Sequence, residues 1–291
     1  MKTLSLLLLA AGLAGLSVAA TSRPAEQSVP AELQPAGDWA SDPIWYDGLV
    51  EKTTYAAVKT IYGEPRSYEA TFLTNKEQHD RATWTKANGS TDTVEVWKHN
   101  QIEVVPTPNY DYKFITTSHF TTDALKLTRF DCTSQEWCGT SFKQFMQNGD
   151  DGYEYFGFSY MPEAGRTTGT VEASDKPIVP FNGLSLFLRG YDFEAREPLN
   201  LWILPDQKSN RATKWKPQHA TARFVEETDD GYRLSVDTSP AGEGQMSIQV
   251  NLGLFVFAKD RQHVMLSANM GNGDTYELKS QERVNYWTLP K

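Results

Sequence analysis

The stretch ATARFVEETDDGYRLSV, residues 220–236, carries the pattern that decides the fold. Apolar residues occupy every second position on both sides of its centre: Ala220, Ala222 and Phe224 before it, and Tyr232, Leu234 and Val236 after it. Such alternation turns one face of a strand toward a core and the other toward solvent. The centre, Asp229-Asp230-Gly231, has residue types that tolerate the positive φ angles of tight turns. The stretch therefore predicts an antiparallel β-hairpin.

The same alternation recurs along most of the chain. It is found at Tyr68, Ala70 and Phe72; at Tyr110, Tyr112 and Phe114; at Leu184, Leu186 and Leu188; at Met246, Ile248 and Val250; and at Val264, Leu266 and Ala268. Turn residues follow at Ala241–Gly244 and Gly271–Asp274. Helical spacing is confined to Asp47–Lys59 and Trp137–Met146. We expect a mainly β protein, with a large antiparallel curved sheet or an open barrel or sandwich of ten or more strands and a few short helices.

The N-terminus has the features of a secretory signal peptide. Lys2 precedes an apolar run from Leu4 to Leu16, and small residues ending at Ala20 follow. A lipoprotein needs a cysteine at the cleavage point, but the first cysteine is Cys132. The sequence predicts cleavage near Ala20 and a periplasmic or secreted product that is not a lipoprotein.

Composition divides the rest of the chain into a short leader and one large domain. Residues 21–40 read as a flexible leader, and residues 41–291 as one β-rich domain whose halves, 41–161 and 183–291, are joined by a loop at Pro162–Asn182. No later hydrophobic stretch reaches transmembrane length.

Charge and motifs exclude several function classes. The net charge is −9, and no window clusters Lys and Arg as a nucleic-acid-binding face requires. The chain has no G-x-S-x-G, Walker loop or G-x-G-x-x-G in a strand-to-helix context. We therefore expect no nucleic-acid partner and no cofactor, while the oligomeric state stays open.

Four short motifs resemble those of an uncharacterised family of exported bacterial β proteins. They are Y-G-E-P-R at residues 62–66, D-Y-K-F at 111–114, S-Q-E-W-C-G at 134–139, and L-R-G-Y-D-F at 188–193, the last similar to the start of a related β domain of unknown function. Members are often labelled septum formation inhibitor, although the S-x-S-P-R-R loop of the nucleotide pyrophosphatases with that name is absent. The resemblance implies an exported β-sheet protein and supplies no catalytic residues.

The S-Q-E-W-C-G motif offers the one catalytic alternative. Cys138 follows Glu136, and His119 lies about twenty residues upstream, so a thiol or hydrolase site could use Cys138, His119 and Glu136. The competing interpretation is a structural sulfur. Because Cys132 and Cys138 are the only cysteines of an exported chain, we expect a disulfide between them, provided that the residues between them turn back.

The histidines show no metal-binding spacing. His79, His99, His119, His219 and His263 are scattered, so a metal site would have to be assembled from distant strands. The sequence predicts none.

The aromatic content is the remaining functional hint. Eight Trp, thirteen Tyr and fourteen Phe either fill a β core or line a cleft. The candidate ligand-binding residues are Trp97, Tyr112, Trp137 and Trp202. The sequence favours a non-catalytic envelope or binding protein that uses an aromatic, concave sheet face for a lipid or other amphiphile, unless that face is covered by the protein's own loop or by the Trp137 segment.

Overall fold

The computed structural model describes residues 37–149, 152–162, 165–211, 214–238, 250–285 and 287. The strands in these ranges are β1 (Val50–Ile61), β2 (Glu64–Asp80), β3 (Thr85–Lys86), β4 (Thr93–Val105), β5 (Tyr112–Thr121), β6 (Leu127–Glu136), β7 (Gly139–Gln147), β8 (Gly152–Ser159), β9 (Arg166–Glu172), β10 (Ile178–Pro180), β11 (Leu199–Leu204), β12 (Gln218–Glu227), β13 (Gly231–Thr238), β14 (Asn251–Ala258), β15 (Met265–Met270) and β16 (Thr275–Val284). The helix α1 (Leu184–Phe187) is joined by 3-10 helices at Asp38–Ser41, Pro43–Tyr46, Phe181–Gly183 and Leu188–Gly190. The prediction of a mainly β protein with few short helices is confirmed.

All sixteen strands belong to one sheet. Its order is β10-β11-β12-β13-β14-β15-β16-β1-β2-β4-β5-β6-β7-β8-β9, with β3 paired to β2 outside this path. The pairing is antiparallel except between β10 and β11. Strand β16 pairs with β1, so the two halves of the chain form a continuous sheet.

A short connection makes this sheet curl. Strands β9 and β10 stand at opposite ends of the strand order, yet only residues 173–177 separate them in sequence. Fifteen strands at about 4.8 Å spacing would hold the edges of a flat sheet roughly 67 Å apart. A linker of this length spans about 20 Å at most. The sheet must therefore bend until its two edges approach each other.

The concave side of the sheet is filled by the protein itself. Residues 181–190, which are buried throughout, and the loop 205–211 enter this space. Phe181 and Lys208 line a residual cavity of about 20 Å³ with Phe72, Phe255 and Tyr276 of the sheet. The cover that was expected from Pro162–Asn182 or from the Trp137 segment is thus supplied mainly by other residues.

Buried ion pairs fix both inserted segments. Arg189 donates to Glu51 of β1 with nitrogen–oxygen distances of 2.7 and 3.2 Å. Lys208 donates to both carboxylate oxygens of Glu103 of β4, at 2.9 and 3.1 Å. The Lys143 ammonium binds the backbone oxygen of Gln207 at 2.8 Å.

Both helix predictions are wrong. Asp47–Lys59 enters β1 at Val50, and Trp137–Met146 enters β7 at Gly139. In β1 the β-branched residues Thr53 and Val58 suit an extended chain, and burial alternates along the strand. In β7 the side chains of Ser141 and Phe145 share the buried face, so the three-residue spacing of the phenylalanines was incidental.

Two further predictions are corrected. Leu184, Leu186 and Leu188 form helical turns, not a strand. Because this segment is enclosed on all sides, its intervening residues are buried as well, and alternation cannot separate helix from strand there. The predicted loop Pro162–Asn182 contains β9 and β10.

Some predictions lie outside the described residues. These are the signal peptide at 1–20, leader residues 21–36, the turn at Ala241–Gly244, and the run through Met246 and Ile248. The last leader residues, 37–40, include the buried Trp39 within the folded part. Among the described residues, no helix has the length and apolar character needed to cross a membrane.

Candidate functional site

A cleft of about 940 Å³ opens where the two edges of the sheet approach each other. Val171 of β9 stands on one side, and Ile178 of β10 and Trp202 of β11 stand on the other. The segment Lys214–Pro217 completes the wall. Within the described ranges β9 pairs only with β8, and β10 pairs only with β11, so the cleft is a seam that strand pairing does not close. We call it the seam cleft.

Stacked aromatic rings form one wall of the seam cleft. The buried Trp215 ring stacks on Tyr155 with a centroid distance of 5.0 Å and an interplanar angle of 16°. Behind Trp215, the Phe145 ring lies 6.4 Å away at 10°. These contacts position Trp215, so the wall is apolar and formed without a ligand.

Two glycines make room for this wall. Gly169 of β9 pairs directly with Tyr155 of β8, and a Cβ atom at Gly169 would lie 2.4–2.8 Å from the Tyr155 ring. A Cβ atom at Gly157 would lie 2.6 Å from Thr167 Oγ1 and 3.4 Å from the Trp215 ring. A larger residue at either position would push the aromatic wall out of place.

The opposite wall is polar at its margin. Trp202 contacts the His219 ring edge-on at 5.3 Å, and Lys176 Nζ lies 3.3 Å from His219 Nε2. Burial and the Lys176 charge lower the pKa of His219 below its usual value. The buried Trp202 Nε1 has no hydrogen-bond partner in the structure.

Charged side chains of both signs ring the seam cleft. Glu172 and Asp175 carry negative charge, and Lys214 and Lys216 carry positive charge. An apolar interior with a rim of mixed charge suits a ligand that has an apolar part and a polar head.

The four predicted ligand-binding residues do not form one site: Tyr112 and Trp137 both pack against Tyr110, with ring centroids 5.5 and 5.4 Å away, while Trp97 and Trp202 lie elsewhere. Trp97 is fully buried in the core, stacked on Trp39 at 4.7 Å and packed edge-on against Trp45 at 4.8 Å. Tyr112 is buried, whereas Trp137 is 82% exposed.

Of the four, Trp202 lines the seam cleft. Tyr155 and Trp215 belong to the aromatic residues that the sequence offered for a core or a cleft, but they were not among the four candidates. Tyr155 of β8 and Trp202 of β11 lie near opposite ends of the strand order, and only the curling of the sheet brings them together.

The predicted thiol site is not assembled. His119 pairs in register with Arg129 of β6, while Cys138 follows the far end of that strand. Arg129 and Glu136 are separated by about 23 Å at roughly 3.3 Å per residue. Glu136 instead accepts a hydrogen bond from Asn210. The exposed Cys138 has Tyr110 Oη as its neighbour, 3.1 Å from Sγ.

The predicted disulfide between Cys132 and Cys138 is absent. Strand β6 stays extended through Glu136, which carries the chain about 13 Å beyond Cys132 before it turns. Disulfides need Cα atoms about 4.4–6.8 Å apart. Cys132 is buried and donates its thiol hydrogen to the Gln207 backbone oxygen at 3.2 Å. Burial raises the pKa of Cys132 to about 12.

A separate cluster of possible metal ligands lies on the convex side of the sheet. Glu77 and His79 of β2 approach His119 of β5, and one ligand atom from each lies within 4.8 Å of the others. Their side chains are 8%, 2% and 7% exposed. The sequence indicated no such site because no spacing links β2 to a strand two places away in the sheet.

No family model and no curated protein matches the sequence. Among solved structures, the chain is similar to a β-barrel-like protein of the domain of unknown function DUF1849 from Brucella abortus. That protein is 9% identical, with a TM-score of 0.46, and the match covers 81% of this chain and 98% of that chain.

Proposed function

We propose that this protein is an exported, non-catalytic binding protein that holds a single-chain amphiphile in the seam cleft. The proposal includes a periplasmic or secreted location and membership of the exported β family suggested by the four sequence motifs. The observation that carries it is an open cleft of about 940 Å³, walled by Trp215, Tyr155 and Trp202, between unpaired sheet edges. Ligand sites in proteins are typically mainly apolar clefts of roughly this size with a few polar groups.

Because the concave face of the sheet is filled, it has no room for the ligand. Residues 181–190 and the loop 205–211 leave a cavity of about 20 Å³ beside Lys208, which is far too small for an acyl chain. The seam cleft has the volume that the interior lacks. The ligand's chain would pack against the Trp215 and Tyr155 rings and its head would face the rim.

The rim favours a head that carries both charges. Lys214 and Lys216 complement a phosphate, while Glu172 and Asp175 complement an ammonium. A lysophosphatidylethanolamine combines these groups with one acyl chain, so it is the probe of choice. A fatty acid and a fatty alcohol of equal chain length separate the contribution of the head from that of the chain.

Calorimetric titration below the micellar concentration tests the proposal. Wild type should bind the lysophospholipid saturably and more tightly than it binds the alcohol. Trp202→Ala should weaken binding about tenfold or more, because truncating an aromatic side chain that anchors a ligand commonly costs more than 1.4 kcal/mol. The matched control is Trp137→Ala, which removes an exposed tryptophan outside the cleft and should leave the affinity unchanged.

Two results would contradict the proposal. One is the absence of saturable heat with all three probes. The other is an equal loss of affinity in Trp202→Ala and Trp137→Ala, which would place binding outside the seam cleft.

A further inference from the structure

The convex cluster joins residues from two strands across a third. Glu77 and His79 are two positions apart on β2, so both side chains emerge on the face opposite to that of Phe72 and Thr74. Strand β4 lies between β2 and β5, and its Lys98 pairs in register with His119. The adjacent strands β2, β4 and β5 therefore direct polar side chains toward one buried point.

Hydrogen bonding leaves this cluster incomplete. His79 Nε2 lies 2.9 Å from Glu77 Oε1, and His119 Nε2 lies 3.7 Å from the same oxygen. Glu77 Oε2, His79 Nδ1 and His119 Nδ1 are buried and have no hydrogen-bond partner among the residues that the structure describes. Lys98 compensates the charge of Glu77 Oε2 at 3.7 Å, but the two buried imidazoles share a single carboxylate oxygen, so the cluster has fewer hydrogen-bond partners than buried polar groups usually have.

We propose that Glu77, His79 and His119 bind one divalent transition-metal ion, with Zn²⁺ as the best chemical match. Two imidazoles and one carboxylate form a donor set that proteins use for zinc and other transition metals. Ligand atoms 2.0–2.1 Å from a tetrahedral Zn²⁺ are about 3.3 Å from each other. The two oxygen–nitrogen separations of 2.9 and 3.7 Å lie on either side of this value, and all three ligand atoms lie within 4.8 Å of one another.

The cluster is bordered by charges of both signs. Lys98 Nζ lies 3.7 Å from Glu77 Oε2, and Arg129 beside His119 is neutralised by Asp131 at 2.6 Å. Three protein ligands leave a fourth position for water. The ion would tie β2 to β5 across β4.

Zinc binding to the full-length mature protein tests this assignment. After treatment with a chelator and dialysis, wild type should take up about one equivalent of Zn²⁺, measured by mass spectrometry of the metal content. Its melting temperature should rise with Zn²⁺ concentration, because the ion binds the folded state. Co²⁺ should give the visible absorption of a four-coordinate site.

Matched variants place the ion. Glu77→Gln keeps the size of the side chain, and His119→Gln removes an imidazole; each should weaken Zn²⁺ binding on the order of 100-fold, at least as much as losing an outer-shell partner does. His219→Gln removes an imidazole at the seam cleft and should bind Zn²⁺ as wild type does. This test is independent of amphiphile binding, since the two sites share no residue.

Three outcomes would overturn the assignment. Wild type could take up neither Zn²⁺ nor Co²⁺, or both variants could retain wild-type affinity, or His219→Gln could lose the ion. If His119→Gln fails to fold, Glu77→Gln and the Co²⁺ spectrum of wild type decide the question.

Discussion

Lys208 provides the sharpest test of how the interior is held together. Its ammonium is buried among Glu103, Asp274 and Tyr276, at 2.9, 3.5 and 2.6 Å from their nearest oxygen atoms. The side chains of Lys208 and Glu103 are 3% and 0% exposed. Burial alone would lower the pKa of Lys208, but the surrounding charges, Glu103 first, raise it well above its usual value.

Lys208→Met removes the charge and retains an unbranched apolar chain. Asp274 keeps its ion pair with Lys59 at 2.9 Å, whereas Glu103 keeps only the hydroxyl groups of Tyr68 and Tyr276. Breaking a buried ion pair by removing one partner costs about 3–5 kcal/mol. For a domain of this size that corresponds to a fall of about 6–20 °C in melting temperature.

The double variant Lys208→Met/Glu103→Gln separates the two contributions to this cost. With both charges gone, no uncompensated carboxylate remains, and most of the lost stability should return. Urea unfolding followed by tryptophan fluorescence measures each free energy of unfolding. A loss under 1 kcal/mol in the single variant, or no recovery in the double variant, would refute the view that Lys208 is retained to balance Glu103.

Two further predictions concern titration and thiol access. Burial, aided by the Arg189 charge, lowers the pKa of His99 to about 3 in the folded state, while the unfolded chain titrates near the ordinary value of 6.5. The stability that neutral His99 contributes is therefore complete above pH 6.5 and is lost as the pH falls toward 3. His99→Gln should flatten the pH dependence of the free energy of unfolding in this range by up to about 1.4 kcal/mol per pH unit. An unchanged slope would contradict the assignment. In the absence of reductant, a thiol reagent should react with the exposed Cys138 in the native protein and with the buried Cys132 only after denaturation. Finding no free thiol in the denatured protein would show that the two cysteines form a disulfide after all.

The strand runs were predictable because each has one buried and one exposed face. In β2 burial falls on Tyr68, Ala70 and Phe72, and in β13 it falls on Leu234 and Val236, as the alternation indicates. The turn at residues 229–231 was also predicted by its residue types. The local sequence pattern was sufficient wherever a segment has one buried face and one exposed face.

Prediction of secondary structure failed where a segment is buried on all sides. Around Leu186 every neighbour in sequence is buried, so the period of the apolar residues carries no information about secondary structure. The burial of polar residues is not predictable from local pattern either. Lys208 and Arg189 look like surface residues in the sequence, and only their pairing with Glu103 and Glu51 explains their burial.

The location of the seam cleft follows from these same constraints. The five-residue linker at 173–177 forces β9 and β10 together, but Ile178–Pro180 is too short a strand to pair along the length of Arg166–Glu172. Charge pairs at Lys208 and Arg189 hold the inserted segments in the interior, so the sheet cannot collapse further to close the gap. An opening therefore persists at the one junction that the topology requires and strand pairing does not seal, and the Trp215 wall stands beside it. Loosening the interior through Lys208→Met should therefore alter the seam cleft from a distance and weaken amphiphile binding in the same calorimetric titration, although Lys208 does not line the cleft.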